Sequence, residues 1–219
     1  MGIGKKGFTL VEIIVSLAIM TIVAGAVGAF VVAGNNSYMR GNKELTLQEE
    51  AQLTANQMID LIIDVEKGIS FSNLTDQEAV DVDGNVAKDV NGMEVTNASV
   101  SELRLINNDN SYMIRWQGGA GADYADANQV YLYEVTNTKD GEGKVVVGDF
   151  DTARPALMAE HVSSFSVDLS ELDKRKVVLN MTFTYQDKSY DISETIKLRN
   201  DLSSEPSSIY SWISGIRII

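Results

Sequence analysis

With one histidine and no cysteine, this 219-residue sequence leaves carboxylates as its main candidates for acid–base chemistry, and the one in the least expected place is Glu12. It stands directly before Ile13 to Met39, a stretch in which no residue is charged. A carboxylate at the edge of hydrocarbon loses hydration, so it calls either for a cation at similar depth or for a helix end that lets it reach the headgroups. Both readings stand at this point. The single histidine, His161, has no Gly-x-Ser-x-Gly element beside it and reads as a polar residue at the start of a strand. The lack of cysteine excludes disulfides, thiolate zinc sites and a cysteine nucleophile together. The 31 acids offer many carboxylate pairs for glycoside hydrolysis, but none is singled out. Asp81, Asp83 and Asn85 have the 1, 3, 5 spacing of a calcium loop; however, the glycine falls at position 4 where position 6 is needed, and Gly92 occupies the place of the bidentate acid. Gly118 to Asp126, GGAGADYAD, lacks a following Gly-Lys-Ser/Thr and carries acids that repel phosphate, so it reads as a plain loop. No catalytic residue, metal or cofactor is expected.

The elements around these residues follow from pattern and charge. The composition is ordinary for a globular chain, 44% hydrophobic and 22% charged with 2 prolines. A net charge of −13 repels a phosphate backbone, so nucleic acid is not expected as a direct partner. Ile13 to Ala33 is almost continuously apolar. As a helix it spans roughly 31 Å, which matches a hydrocarbon core of about 30 Å. It is also longer than the apolar region of a cleaved secretory signal, about 7 to 15 residues. A membrane helix is therefore expected. Lys5 and Lys6 favour a cytoplasmic N-terminus, although Arg40 and Lys43 make the raw basic count a tie. Gly25, Gly28 and Gly34 are compatible with close helix approach.

Beyond Gly41 the pattern changes. Leu47, Ala51, Ala55, Met58, Ile62 and Val65 recur at steps of three and four, which predicts an amphipathic helix ending near Lys67-Gly68 with glycine just past its end. It either continues the membrane helix or follows a joint at Gly34 to Ser37. Ser72 to Ser99 shows no sustained period and is expected to be a loop with one short hairpin. Strands are predicted at Glu102 to Asn107, Tyr112 to Gln117, Gln129 to Thr136 and Lys144 to Val147. Three more are predicted within His161 to Asn200. In the tail, Ile209, Trp212, Ile213 and Ile216 share one helical face behind Pro206 and Ser207, while Ile216, Ile218 and Ile219 could instead finish an edge strand. Its apolar surface is expected either to dock a neighbouring subunit or to fold back on the sheet.

Met1 to Glu12 reads MGIGKKGFTLVE, and this resembles the prepilin signal of type IV pilins and type II secretion pseudopilins. The basic pair Lys5 and Lys6, Gly7, Phe8, the three residues Thr9-Leu10-Val11 and Glu12 all match. The resemblance implies cleavage between Gly7 and Phe8 by a membrane prepilin peptidase, N-methylation of Phe8, and an assembly role for Glu12 in neutralising a neighbouring subunit's ammonium. Gly7 suits a protease cleft because an extended backbone without a side chain approaches closely. The closing strand series ending in Leu198-Arg199-Asn200 is similar to minor pilins and pseudopilins of the J and W types and to competence pseudopilins; Leu202 to Ile219 extends beyond that stop.

The fold implied is α+β and pilin-like, with a long N-terminal helix, half membrane span and half amphipathic, packed on an antiparallel β-sheet head. The implied segments are a leader at 1–7, a transmembrane helix at 8–39, its amphipathic continuation at 40–68, the head at 69–200 and a tail at 201–219. The function implied is a minor pilin or pseudopilin of a type IV pilus, competence or type II secretion filament, acting in initiation or at the tip and not as an enzyme. Its partners would be the peptidase, other pilin or pseudopilin subunits and the inner membrane, with the head on the outer side. A filament-tip adhesin or substrate-binding head is the alternative, and a membrane-anchored hydrolase a more distant one.

Overall fold

The computed structural model of the chain describes residues 7–118 and 124–202. Lys5, Lys6, most of the expected leader, Gly119 to Asp123 of the glycine-rich loop and the tail from Ser203 onward lie outside the described residues.

Helix α1 (Leu10–Ile63) is uninterrupted through Gly34 to Ser37, so the two-helix alternative does not form. Both prolines, Pro155 and Pro206, lie elsewhere, and nothing in α1 removes a backbone donor. The chain divides into two compact units, one up to Leu45 and one from Thr46. In the first, the side chains of the apolar stretch are exposed along its whole length, and the helix is long and apolar enough there to cross a membrane.

In the second unit, α1 buries Leu47, Ala51, Thr54, Ala55, Met58 and Ile62 along one stripe, with Val65 buried just beyond the helix. Every apolar position read from the period is therefore in the core. The helix ends at Ile63, however, and Gly68 opens the first strand, which corrects the expected glycine stop at Lys67-Gly68. The physical reason is tertiary. The Arg199 N–H donates to the Ile63 carbonyl at 2.9 Å, and Asn200 Nδ2 donates to the carbonyls of Val65 at 2.9 Å and Asp64 at 3.4 Å. These donors serve C-terminal carbonyls that a left-handed glycine would otherwise satisfy. The Leu-Arg-Asn sequence thus closes the helix.

The strands are β1 (Gly68–Gln77), β2 (Ala98–Ile106), β3 (Asn110–Gln117), β4 (Gln129–Thr136), β5 (Thr138–Lys139), β6 (Val145–Val146), β7 (Ala156–Ala159), β8 (Val162–Asp168), β9 (Lys176–Tyr185) and β10 (Lys188–Lys197). They form antiparallel sheets of order β1-β2-β3-β4-β7 and β10-β9-β8, plus the small β5-β6 pair. Leu103, Leu105, Ile114, Trp116 and Val130 of the larger sheet join Phe165, Leu179, Met181 and Phe183 of the smaller one and the α1 stripe in one core. The indole N–H of Trp116 donates to the Val162 carbonyl at 2.6 Å and couples the two sheets. This is the α+β, pilin-like architecture: a long N-terminal helix with an apolar span, its later turns packed against antiparallel sheets.

The loop expected at Ser72 to Ser99 is shorter than that. Ser72 to Leu74 and, past an irregularity, Gln77 pair with β2 as part of β1, and Ala98 and Ser99 begin β2. Strand β1 escapes the period because its outer half is polar and largely exposed. The segment between the strands is a tandem octad, Ala79-Val-Asp-Val-Asp-Gly-Asn-Val86 followed by Ala87-Lys-Asp-Val-Asn-Gly-Met-Glu94. Its equivalent positions bond in a ring: Ala79 N–H to Val95, Ala87 N–H to Ala79 and Val95 N–H to Ala87, at 3.0, 2.9 and 2.9 Å. Ala79, Ala87 and Val95 bury themselves together against Tyr124.

Candidate functional site

The residues expected to be processed open the described chain. Gly7, Phe8 and Thr9 precede α1 without regular structure, and all three are exposed. A Cβ built on Gly7 would meet nothing within 4 Å, so the fold itself sets no demand for glycine there.

Thr9 caps the helix and Glu12 closes the cap. The Thr9 N–H donates to Glu12 Oε2 at 2.9 Å and the Thr9 hydroxyl donates to the same oxygen at 3.0 Å. In return, the Glu12 N–H donates to Thr9 Oγ1 at 3.3 Å. This is the reciprocal Thr-x-x-Glu arrangement that satisfies otherwise orphaned donors at a helix start. A negative side chain there also faces the positive end of the helix dipole. Farther along, the Ser16 hydroxyl donates to the Glu12 carbonyl, and the Thr21 hydroxyl donates to the Ala18 carbonyl at 2.8 Å. The hydroxyls of the apolar stretch thus bond within their own helix, as an apolar surrounding requires.

In the head, the chemically conspicuous residues serve as joints. His161 sits just before β8, with Nδ1 2.7 Å from Glu50 Oε2. Glu50 Oε1 accepts from the backbone N–H groups of Glu160 at 2.7 Å and His161 at 3.2 Å, and the imidazole meets Tyr185 edge-on at 4.6 Å. One α1 carboxylate therefore holds the β7–β8 connection. The pairing spans 111 positions, and no local signal announces it.

The calcium-like spacing is a turn. Asp81 Oδ1 accepts from the N–H groups of Asp83 and Asn85, both at 2.9 Å, while Asp83 pairs with Arg154 at 3.6 Å. Asp89 holds Asn91 and Met93 in the same way, and Asp140 holds Glu142 and Lys144. In each case the glycine three residues on has φ between +80° and +85°, a conformation that favours glycine. The Asn85 N–H first of all holds the Asp81 carboxyl below its ordinary range, and the Met93 N–H does the same for Asp89. Among the described residues no group of three or more potential metal-ligating side chains gathers.

A buried polar cluster under this segment escaped the sequence reading. Glu102, 4% exposed, pairs with Arg104 at 2.7 Å and lies 3.9 Å from Arg115, whose Nη2 donates to the Glu78 carbonyl. Gln117 brackets the octad by exchanging hydrogen bonds with the Val80 N–H and carbonyl. Burial pushes the Tyr124 hydroxyl up to about 12, keeping it neutral. The only advance sign was the period-two placement of Glu102, Arg104, Met113 and Arg115 on one face of β2 and β3.

Residues 4–28 match the family model for the prokaryotic N-terminal methylation motif. No curated protein and no solved structure matches the chain. The motif covers Gly7, Phe8 and the Thr9–Glu12 cap together with most of the apolar stretch, and it supports a type IV pilin-like protein. It implies processing by a prepilin peptidase and pilin-type assembly, and with the long apolar helix it fits membrane anchoring. Motif and fold point to a structural subunit.

Proposed function

We propose that the chain is a minor pilin or pseudopilin subunit of a type IV pilus, competence or type II secretion filament, acting in initiation or at the tip. Lys5 and Lys6 hold the leader at the cytoplasmic face, the peptidase cuts between Gly7 and Phe8, and Phe8 receives the methyl group. The span then anchors the subunit once in the inner membrane with the head outside, until Glu12 pairs with a neighbour's terminal ammonium and the subunit enters the filament. The observation that carries this reading is the methylation motif lying directly on the capped start and exposed apolar stretch of α1.

The head supports a packing role over a chemical one, because its sole histidine is bound into the joint between α1 and the β7–β8 connection and its buried Glu102 into ion pairs on β2 and β3. Intact mass of the membrane-extracted protein tests the proposal. Loss of Met1 to Gly7 plus one methyl group is expected, and Gly7→Leu should abolish that change while leaving insertion intact. A protein that keeps its N-terminus would be an anchored domain and no filament subunit.

A further inference from the structure

We infer that Thr9 is a positioning residue for Glu12: it holds one carboxylate oxygen within the subunit so that the other is presented to the cation of an incoming partner. The inference rests on the reading of Glu12 as the assembly residue and adds a device that makes this residue tolerable in a membrane.

Both Thr9 donors converge on Oε2, at 2.9 Å from the amide and 3.0 Å from the hydroxyl. Oε1 takes neither bond. The third bond, from the Glu12 N–H to Thr9 Oγ1 at 3.3 Å, ties the hydroxyl down so that it can serve as donor and acceptor at once. A carboxylate in apolar surroundings is costly unless hydrogen-bonded, and two donors on one oxygen both offset that cost and fix the rotation of the side chain. With Oε2 held by both donors, Oε1 is the carboxylate oxygen left for a partner. An unheld carboxylate would spread over several rotamers and have to be ordered on each encounter.

Cleavage preserves the device. The amide that donates to Glu12 is the one joining Phe8 to Thr9, so cutting the Gly7–Phe8 bond leaves it in place. The new ammonium appears on Phe8, one residue before the cap. Each processed subunit then carries a cation and a pre-aimed anion oxygen within one helical turn. That arrangement suits pairing between staggered copies of such helices.

The test uses the full chain in its own cells, with processing read by intact mass and assembly read as the sheared-filament fraction. Thr9→Val keeps the β-branched shape but removes the hydroxyl, and Thr9→Ser keeps every bonding group. Thr9→Val is expected to be cleaved and inserted normally while entering filaments about fivefold less, in keeping with the loss of a helix cap. Thr9→Ser should restore entry, which a loss of shape alone would not predict. Glu12→Val separates the two layers of argument. If it is lost from filaments while Thr9→Val assembles like wild type, the positioning role is overturned. If Glu12→Val itself assembles like wild type, the reading of Glu12 falls and takes the inference with it. A Thr9→Val protein that is no longer cleaved would place Thr9 in leader recognition and also overturn the inference.

Discussion

Replacing Asn200 tests whether the Leu-Arg-Asn sequence closes helix α1. Its amide donates to the Val65 carbonyl at 2.9 Å and more weakly to that of Asp64 at 3.4 Å, beside the fully buried Val65 side chain. The neighbouring Arg199–Asp64 ion pair, at 2.6 Å, has side chains 68% and 52% exposed and contributes little through water. The hydrogen bonds therefore carry the effect. Losing one good bond and leaving its carbonyl poorly served costs about 2 kcal/mol. In a head of this size each kcal/mol moves the thermal midpoint by about 2–4 °C, so Asn200→Ala should lower it by about 4–8 °C. Asn200→Asp sharpens the test. It has nearly the same shape but puts oxygens where donors stood, facing carbonyl oxygens, so it should cost at least as much as alanine. Thermal unfolding of residues 41–219, followed by circular dichroism, measures both. A midpoint within about 1 °C of wild type for either variant would refute the capping argument.

Two further outcomes follow from local geometry. A Cβ on Gly148 would lie 2.7 Å from the Thr136 carbonyl oxygen and 3.0 Å from Val135 Cβ, so Gly148→Ala should destabilise the head by about 1–3 kcal/mol, read as a lower urea midpoint at unchanged slope. Asp81 and Asp89 have folded values below their unfolded ones, so their contribution is present above about pH 4 and is lost as pH falls through the unfolded and then the folded value. Asn can make the same turn without titrating; hence Asp81→Asn with Asp89→Asn should flatten the acid loss of thermal stability between about pH 5 and pH 2. An unchanged pH profile would show that these turns do not couple to folding.

What was legible in the sequence and what was not divides along one physical line, the distance over which a signal acts. The α1 stripe from Leu47 to Ile62 was legible because a helix pressed on one surface repeats its burial every three to four residues. Strand β4 was legible at both ends, since Gln129 to Thr136 is bounded by turn residues. Gly7, Phe8 and Glu12 are set apart by type and order alone, and their roles belong to the proposed function. Strand β1 was lost because its register comes from pairing with β2 and not from its own alternation, and β7 because four residues carry no period. The octad repeats Ala, Asp, Val and Gly at fixed positions, but a period of eight belongs to neither helix nor strand, so hydrophobic periodicity does not reveal it.

The joints were beyond reach for a different reason. Glu50 with His161, Trp116 with Val162 and Asn200 with Val65 join residues 111, 46 and 135 positions apart, so no local pattern contains both partners of any of these bonds. Local pattern says that Glu50 is on the polar side of a helix, which is correct and uninformative. Only the closing of the chain makes that carboxylate the acceptor for the β7–β8 connection. The cap at the other end of α1 is the opposite case, since Thr9 and Glu12 are three residues apart and their types already specify the bond. A helix start that lies outside the core must carry its own closure in its own sequence, whereas an end inside a core can borrow donors from a distant segment, here the residues just after β10. Helix α1 does both, with Thr9 and Glu12 at its start and Arg199 and Asn200 at its end. The N-terminal cap should therefore persist when the head is removed, while the C-terminal one should fail with the loss of Arg199 and Asn200 just after β10.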